Sequence, residues 1–312
     1  MNSNIRTAQV NNKIAAGFIL ILFIYLLACA PAPSATMIVD DAGMTVTRVS
    51  DCKRIVSLSP SNTEIVYSLG LADKLVGVTE YCNYPPEAKA KQRIGGFSTV
   101  DIEKVVALQP DLVLAADVHE NTVTPMLQKS GFNIVTLKPK TMEDTLNDII
   151  LVGKLTSSET AAGKLVDNLR NRIKKVVEKT GGIQKQDRTR TLVVIWHDPL
   201  MSAGSGTLID DLITMCGGNN LAGDIAGHKA ISLETVIARD PEVIIVPTSM
   251  GTGESAVWDY LKSEPRLKAV SAFKNQRVFK MDGDTIYRYG PRLVDALEQV
   301  AEFIHPEIFP AR

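Results

Sequence analysis

The chain has 312 residues, of which 45% are hydrophobic and 22% charged, and its formal net charge is −1. Residues 1–28 carry Arg6 and Lys13 and no acid, so the remainder has a net charge of about −3, which argues against nucleic acid or an anionic membrane surface as the partner. The four cysteines include no CxxC pair, so neither a disulfide framework nor a thiolate zinc site is indicated.

The N-terminal segment is typical of a signal peptide, which we predict over residues 1–28. Its apolar run, Ile14–Ala28, has about 15 residues, whereas a membrane span needs about 20. The run ends in Leu-Leu-Ala-Cys, which resembles a lipobox, where a signal peptidase exposes a cysteine, here Cys29, for lipid attachment. An uncleaved membrane anchor is the alternative. Both interpretations place the body outside the cytoplasm, after a tether and initial strands over residues 29–52.

The next segment predicts an N-terminal lobe over residues 53–155, because short apolar runs alternate there with helical patterns. Its first elements are, in chain order, a strand at Arg54–Leu58, a loop at Ser59–Asn62, a helix at Thr63–Leu69 and a strand at Leu75–Thr79. In a parallel sheet, Cys52 and Cys82 would lie at opposite ends of these strands, too far apart for a disulfide bond.

One stretch of this lobe, Asp101–Ala116, recurs without a gap at Ser232–Pro247. In each copy the apolar residues first follow helical spacing and then run continuously, and a Pro–acid step separates the two patterns. Each copy therefore predicts a helix, a turn and a buried strand. The repeat indicates a second, equivalent lobe over residues 182–312, with a ligand cleft between the two lobes.

Two helices are predicted between the lobes. The first, Glu143–Leu155, is preceded by a capping-box pattern. The second spans residues 156–181, with a capping box predicted for Thr156 and Glu159, and would be one rigid connector about 35 Å long. A rigid helical connector predicts that the lobes open only slightly against each other.

The second lobe opens with the same alternation: a strand at Thr191–Trp196, a loop through Gly206 and a helix at Thr207–Met215. Alternating strands and helices predict an α/β fold of two Rossmann-like lobes with mostly parallel sheets. Ligands of such sheets bind beyond the carboxyl ends of the strands. This rule nominates five cleft loops: Ser59–Asn62, Glu80–Tyr84, Ala116–His119, Trp196–Asp198 and Pro247–Met250.

Five motifs occur together in one order: RIVSLSPSNTEIVYSLGLADKLVGVTEYCNYPPEA, DIEKVVALQPDLVLAA, MCGGNN, SLETVIARDPEVIIV and YRYGPR. With this order and spacing, the chain resembles the substrate-binding lipoproteins of ABC importers for vitamin B12 and iron chelates, most closely the cobalamin branch. The resemblance covers residues 37 to about 305. It implies two lobes bridged by one helix, a corrinoid or metal chelate held between them, and delivery to a membrane permease.

The resemblance also implies an aromatic ligand site. It places Tyr81 and Tyr84 at the cleft, makes Phe97 a wall of the site, and leaves Trp196 as a further candidate. Flat rings suit a corrin, which is a broad and partly apolar disc. The alternatives are tyrosines that plug the end of the lobe and an ordinary core tryptophan.

Three further residues belong to the implied site. His228 stands where the bacterial cobalamin binder has a tryptophan, a departure that leaves metal ligation, a hydrogen bond or a plain surface role open. Asp284 and Arg288 would face the ligand's amide groups, whereas Arg292 is expected to form a structural salt bridge.

The repeat itself singles out Glu103 and Glu234, each in the first turn of a predicted helix. A carboxylate there can simply compensate the helix dipole. The alternative, which the resemblance also implies, is that the two acids dock onto a two-fold permease dimer.

Other classes of function remain open on sequence grounds. Within the binding class, the rival ligands are a ferric siderophore and haem. An enzyme is disfavoured because no GxGxxG fingerprint or catalytic triad is visible, and Gly204–Gly206 lacks the P-loop lysine and the GxSxG spacing. Four histidines without a His-x-His pair argue only weakly for zinc or manganese. We therefore expect a monomeric binding protein without a cofactor, which contacts the membrane only through its N-terminal anchor.

Overall fold

The computed structural model describes residues 37–49, 51–248 and 255–310. The predicted signal peptide and Cys29 lie outside the described residues, as does the end of the predicted cleft loop after Thr248. In the part of the chain that is described, no helix is long and apolar enough to cross a membrane.

The first lobe is built on a parallel sheet. An antiparallel hairpin of β1 (Met37–Val39) and β2 (Thr45–Thr47) precedes it. The sheet strands are β3 (Ile55–Ser57), β4 (Leu75–Val78), β5 (Gln92–Arg93), β6 (Leu112–Ala116) and β7 (Ile134–Leu137). They are all parallel, in the order β5-β4-β3-β6-β7. The helices are α1 (Pro60–Ser68), α2 (Ile102–Ala107), α3 (Val123–Lys129) and α4 (Met142–Leu155), and 3-10 turns span Ala72–Lys74, Pro86–Ala90 and Asp117–His119.

A single helix, α5 (Glu159–Thr180), connects the lobes; its 22 residues correspond to about 33 Å. It packs on α4 of the first lobe and on two helices of the second. The capping box predicted for Thr156 and Glu159 is wrong: the Thr156 hydroxyl donates instead to the Val152 carbonyl at the end of α4. The box that precedes α4, formed by Thr141 and Asp144, is present.

The second lobe contains a mixed sheet. Its strands are β8 (Arg190–His197), β9 (Leu200–Ala203), β10 (Asn219–Asn220), β11 (His228–Ala230), β12 (Val243–Pro247) and β13 (Val278–Met281). The order is β11-β9-β8-β12-β13, with β10 also beside β8. The two pairs that contain β9 are antiparallel, and the other pairs are parallel. The helices are α6 (Leu208–Met215), α7 (Leu233–Arg239), α8 (Ala256–Ser263), α9 (Ser271–Lys274), α10 (Gly283–Ile286) and α11 (Leu293–Ile304), with 3-10 turns at Lys185–Asp187 and Pro265–Ala269.

The duplicated stretch forms the same unit twice, as predicted: α2 leads into β6, and α7 leads into β12. Two further local expectations were wrong. Helix α1 begins at Pro60 rather than Thr63, because proline fits the first helical position, where no N–H donor is needed. Strand β9 was expected to be loop, because four residues carry too little alternation to reveal a strand.

One hydrophobic core runs through both lobes. It includes Leu146 from α4, Leu169 from α5 and Leu297 from α11, all of them buried. The two sheets therefore rest against a continuous apolar layer, which is consistent with the small opening that the rigid connector predicts.

Candidate ligand-binding site

A cavity of about 710 Å³ lies between the lobes, beyond the carboxyl ends of the parallel strands. This volume falls in the range of small-molecule sites, about 300 to 1,000 Å³. Every one of the five predicted cleft loops contributes at least one lining residue. The first lobe supplies Ser59, Pro60, Ser61, Asn62, Tyr81, Phe97, Ser98, Ala116, Asp117, Leu137, Lys138 and Pro139. The second lobe supplies Ile195, Trp196, Pro247, Thr248, Ser255, Ala256, Val257, Tyr287, Arg288 and Tyr289.

The aromatic ring of Phe97 reaches the cavity from a tight loop after β5. Gly95 has φ +96°, and a Cβ there would lie 2.6 Å from the Thr99 carbonyl oxygen. A Cβ on Gly96 would lie equally close, 2.6 Å, to the Thr99 hydroxyl. The obstacle at position 95 is backbone and the φ is left-handed, so only glycine fits there, and Gly95 allows the loop to present Phe97.

His119 holds this loop from behind and is fully buried, with 0% exposure. Its Nε2 lies 2.6 Å from the Phe97 carbonyl oxygen, and its Nδ1 accepts a hydrogen bond from the Ala116 N–H at 3.0 Å. Burial lowers the pKa of His119, since a charged imidazole would lose its hydration there. His119 lies in a predicted cleft loop, but the sequence predicted no role for it, because its partners are backbone atoms and belong to no motif.

Trp196 and Tyr81 line the cavity from different lobes, with exposures of 51% and 55%. The Trp196 indole N–H donates to the Asp198 carbonyl at 2.8 Å, which fixes the ring at the end of β8. Such exposure excludes the alternative of an ordinary core tryptophan. Tyr287 and Tyr289 add two aromatic side chains that the sequence analysis did not single out, although both belong to the YRYGPR motif.

Arg288 lines the cavity and is held by groups from both lobes. Its guanidinium donates to Asp284 at 2.6 Å and to the side-chain oxygen of Asn83 at 2.8 Å, and Glu64 lies 3.5 Å away. Asn83 also donates to Asp284 at 2.6 Å. Asp284 therefore orients Arg288 and is not itself a lining residue. The Arg288 Nε–H is buried and has no partner among the described residues.

The neighbouring Arg292 forms the structural salt bridge that was expected. It donates to both carboxylate oxygens of Glu64, and its guanidinium lies 3.8 Å from the centre of the Tyr84 ring. Burial raises the pKa of Glu64, while hydrogen bonds and charge from the two arginines oppose the shift. Tyr84 packs on Arg292 and does not line the cavity within the described residues.

His228 also lies apart from the cavity lining. It is exposed on β11, the edge strand of the second sheet, opposite Ala203. The structure thus brings together Tyr81, Phe97, Trp196 and Arg288, and leaves Tyr84 and His228 outside this group.

The charges that line the cavity are few. Among the described lining residues the cations are Lys138 and Arg288, and the acid is Asp117. Both cations are already paired: Lys138 lies 2.6 Å from Glu120, and Arg288 is held by Asp284. The site therefore offers aromatic surface and hydrogen-bond donors rather than free positive charge. The described residues include no cluster of three or more His, Cys, Asp or Glu suited to a metal ion.

The Gly204–Gly206 loop has a structural role. The Ser205 hydroxyl donates to the Ile225 carbonyl at 3.2 Å, and the Thr207 hydroxyl donates to the Gly204 carbonyl at 2.7 Å while it caps α6. No nucleophilic arrangement is present in this loop.

Glu103 and Glu234 occupy equivalent places in the two lobes. Each is the second residue of its helix, α2 or α7, and each is exposed. Each helix begins just after a strand that points towards the cavity, β5 in one lobe and β11 in the other. Both acids therefore lie at the cavity edge of their lobes. Glu234 is 3.2 Å from Arg266, whereas Glu103 has no ion-pair partner within the described part of the chain.

Comparison with known proteins gives one family. A family model described as periplasmic binding protein matches residues 55–285. An uncharacterized ABC transporter substrate-binding lipoprotein of Bacillus subtilis is 32% identical over 280 residues, which cover 87% of this chain and 86% of the relative.

Two solved structures are similar in fold and sequence. The periplasmic vitamin B12 binding protein of Vibrio cholerae aligns with a TM-score of 0.68 and 28% identity, over 82% of this chain and 98% of that one. A periplasmic heme binding protein of Pseudomonas aeruginosa aligns with a TM-score of 0.72 and 27% identity, over 82% and 93% of the two chains. These matches confirm the predicted fold class and the predicted resemblance. They identify extracytoplasmic solute binders rather than enzymes, and they support the role of solute-binding component of an ABC importer.

Proposed function

The chain belongs to the periplasmic binding protein family, and from this premise we propose that it captures cobalamin or a related corrinoid in the interlobe cavity and delivers it to an ABC permease. The observation that carries the proposal is the cavity lining, in which Tyr81, Phe97 and Trp196 from two lobes surround a space without an unpaired cation among its described residues.

The lining suits a ligand that is broad, flat and partly apolar. Aromatic side chains bury large areas with only two rotatable bonds each, so they cover a corrin face at little entropic cost. Arg288 lines the cavity, and its guanidinium is a group there that can donate to an amide oxygen at the ligand edge. A highly anionic ferric siderophore is disfavoured, because Lys138 and Arg288 are already neutralised by Glu120 and Asp284.

Haem is the second candidate, and a specific observation favours it. The Tyr81 ring is 55% exposed and lines the cavity, so its phenol can approach an iron centre. A tyrosine oxygen is an established axial ligand of haem iron. The two propionates of haem would then have to be met by Lys138 or Arg288 in competition with their present partners.

Delivery of the ligand to the permease would depend on two acidic residues, Glu103 and Glu234. Glu103 and Glu234 stand one on each lobe at the cavity edge, and a permease dimer can meet them with the same basic pocket used twice. Lipidation of Cys29 would hold the protein at the outer face of the cytoplasmic membrane, where a monomer suffices for docking. The anchor brings the protein to the permease, and the acids orient it.

Titration of the mature protein with cyanocobalamin, haem and ferric siderophores, followed by intrinsic fluorescence, tests the ligand. We expect saturable binding of cyanocobalamin, weakened by Phe97→Ala. Phe309→Ala is the matched control, since that ring lies against Lys179 and outside the cavity lining. Tight binding of haem without cyanocobalamin, lost in Tyr81→Phe, would establish the second candidate. Tight binding of a siderophore alone would contradict both.

A further inference from the structure

His119 joins two segments that both line the cavity. The Phe97–Ser98 loop and the Ala116–Asp117 turn come from different strands of the first sheet, β5 and β6. The fully buried imidazole bridges them through one hydrogen bond to each backbone, at 2.6 Å and 3.0 Å. Its ring also meets the Phe97 ring edge to face, with centroids 5.4 Å apart.

This bridge requires one protonation state. Nδ1 accepts the Ala116 N–H and therefore carries no proton. Nε2 faces the Phe97 carbonyl oxygen, which can only accept, so Nε2 carries the proton. The neutral Nε2–H tautomer satisfies both bonds, whereas the imidazolium would direct an N–H at the Ala116 N–H and break one of them.

We propose that His119 is a positioning residue for the ligand site: in its neutral form it holds the Phe97 wall in the binding position, and its protonation at acid pH releases that wall. The claim about ligand affinity rests on the proposed function. The claim that His119 positions the Phe97 loop concerns the protein alone. Binding would therefore weaken on acidification through a residue that does not line the cavity.

Few charged groups lie near His119, so its two backbone hydrogen bonds and its burial mainly determine its protonation state. Asp117 and Glu120 lie on its own turn, and the Glu120 carboxylate is occupied by Lys138 at the end of β7. The loop at residues 95–99 contains no titratable side chain. Asp117 favours the charged form of His119, but burial opposes it more strongly, and the lowered pKa keeps the imidazole neutral at pH 7.

Hydrogen exchange of the ligand-free protein tests the positioning role. We expect His119→Ala to lose protection at the Ala116 amide and in the loop at residues 95–99 by about tenfold, as for one or two missing hydrogen bonds. In the unmodified protein, the same amides should lose protection as the pH is lowered below the ordinary range of histidine, because burial lowers the pKa of His119. His119→Gln can still donate to the Phe97 carbonyl but does not titrate, so its protection should be intermediate and independent of pH.

Cyanocobalamin titration of the same proteins tests the effect on the site. We expect about tenfold weaker binding for His119→Ala, and a loss of affinity on acidification that His119→Gln lacks. His305→Gln is the control, because His305 is also buried, at the end of α11, and lies outside the cavity lining. It should keep both the affinity and the acid response.

The two readouts separate the possible failures. If the unmodified protein does not bind cyanocobalamin, the proposed ligand is wrong, and the exchange experiment still decides the role of His119. If His119→Ala keeps native protection in the loop at residues 95–99, or if His119→Gln keeps the acid response, the inference about His119 is overturned.

Discussion

Glu64 of α1 accepts two hydrogen bonds from Arg292, at 3.0 Å from Nε and 2.7 Å from Nη2, and this buried pair joins the two lobes. Glu64 is 2% exposed, and the Arg288 guanidinium also lies 3.5 Å from its Oε1. The pair stands beside the cavity, so the same polar network that supports Arg288 also holds the lobes in register.

Removal of the Glu64 carboxylate should destabilise the protein strongly. In Glu64→Ala, Arg292 and Arg288 would remain buried with less compensation, and breaking a buried ion pair from one side costs about 3–5 kcal/mol. Urea denaturation measures the loss in the free energy of unfolding. The exposed Glu103→Ala serves as control and should change stability by no more than about 0.5 kcal/mol. Equal stability of the two variants would show that the pair contributes nothing.

The two tryptophans of the chain should differ in their effect on binding. Trp196 is half exposed at the cavity, whereas Trp258 lies between the ammonium groups of Lys262 and Lys280 and does not line it. We expect Trp196→Ala to weaken cyanocobalamin binding about tenfold or more, which corresponds to about 1.4 kcal/mol of lost contact. Trp258→Ala should bind as the unmodified protein does. Calorimetric titration is suitable, since it does not depend on the fluorophore that each variant removes.

Asp148 should make stability fall as pH rises. Burial, assisted by Asp41, raises the pKa of this carboxyl to about 9, so the folded protein keeps it protonated while the unfolded chain ionises it near its ordinary value. Its contribution to stability is complete below that ordinary value and is lost as pH rises towards 9. Asp148→Asn removes the penalty, so we expect about 1–4 kcal/mol of extra stability at pH 8 and little change at pH 4.

Urea denaturation at both pH values measures this difference. Asp167→Asn is a matched control, because Asp167 is also helical but exposed on α5. The prediction is contradicted if the stability gained by Asp148→Asn over the unmodified protein is no larger at pH 8 than at pH 4.

If Glu103 and Glu234 dock onto a permease as proposed, they should contribute unequally. Arg266 pairs with Glu234 in the free protein, at 3.2 Å, while Glu103 has no ion-pair partner among the described residues. A permease that binds both acids would have to displace Arg266 from Glu234, whereas no described ion pair would have to be broken at Glu103. We expect Glu103→Gln to reduce uptake more than Glu234→Gln, with ligand affinity unchanged in both.

The same asymmetry predicts a gain of affinity. Arg266→Gln should bind the permease up to about fivefold more tightly, because exposed ion pairs contribute about 0–1 kcal/mol. Uptake in reconstituted vesicles and permease binding by surface immobilisation measure both effects. A large loss of ligand affinity in either glutamate variant would contradict a docking role. Equal effects of both variants, with none from Arg266→Gln, would contradict only the asymmetry.

The sequence by itself determined what depends on local periodicity. The repeat of Asp101–Ala116 at Ser232–Pro247 predicted two helix–turn–strand units, and the alternation of strands and helices predicted parallel sheets with five cleft loops. These features depend on the spacing of apolar residues within short segments, so they can be predicted from a single sequence. Short elements such as β9 were missed for the same reason, since four residues hold too little pattern.

Only the tertiary structure decided which side chains meet. Glu64 and Arg292 are 228 residues apart, and their pairing depends on how the lobes pack across α5. The same packing turned Tyr81 to the cavity and Tyr84 onto Arg292, although the two tyrosines share one motif. His119 acquired its partners only when two loops closed around it. Long-range contacts are set by the geometry of the whole core, and local periodicity does not encode that geometry.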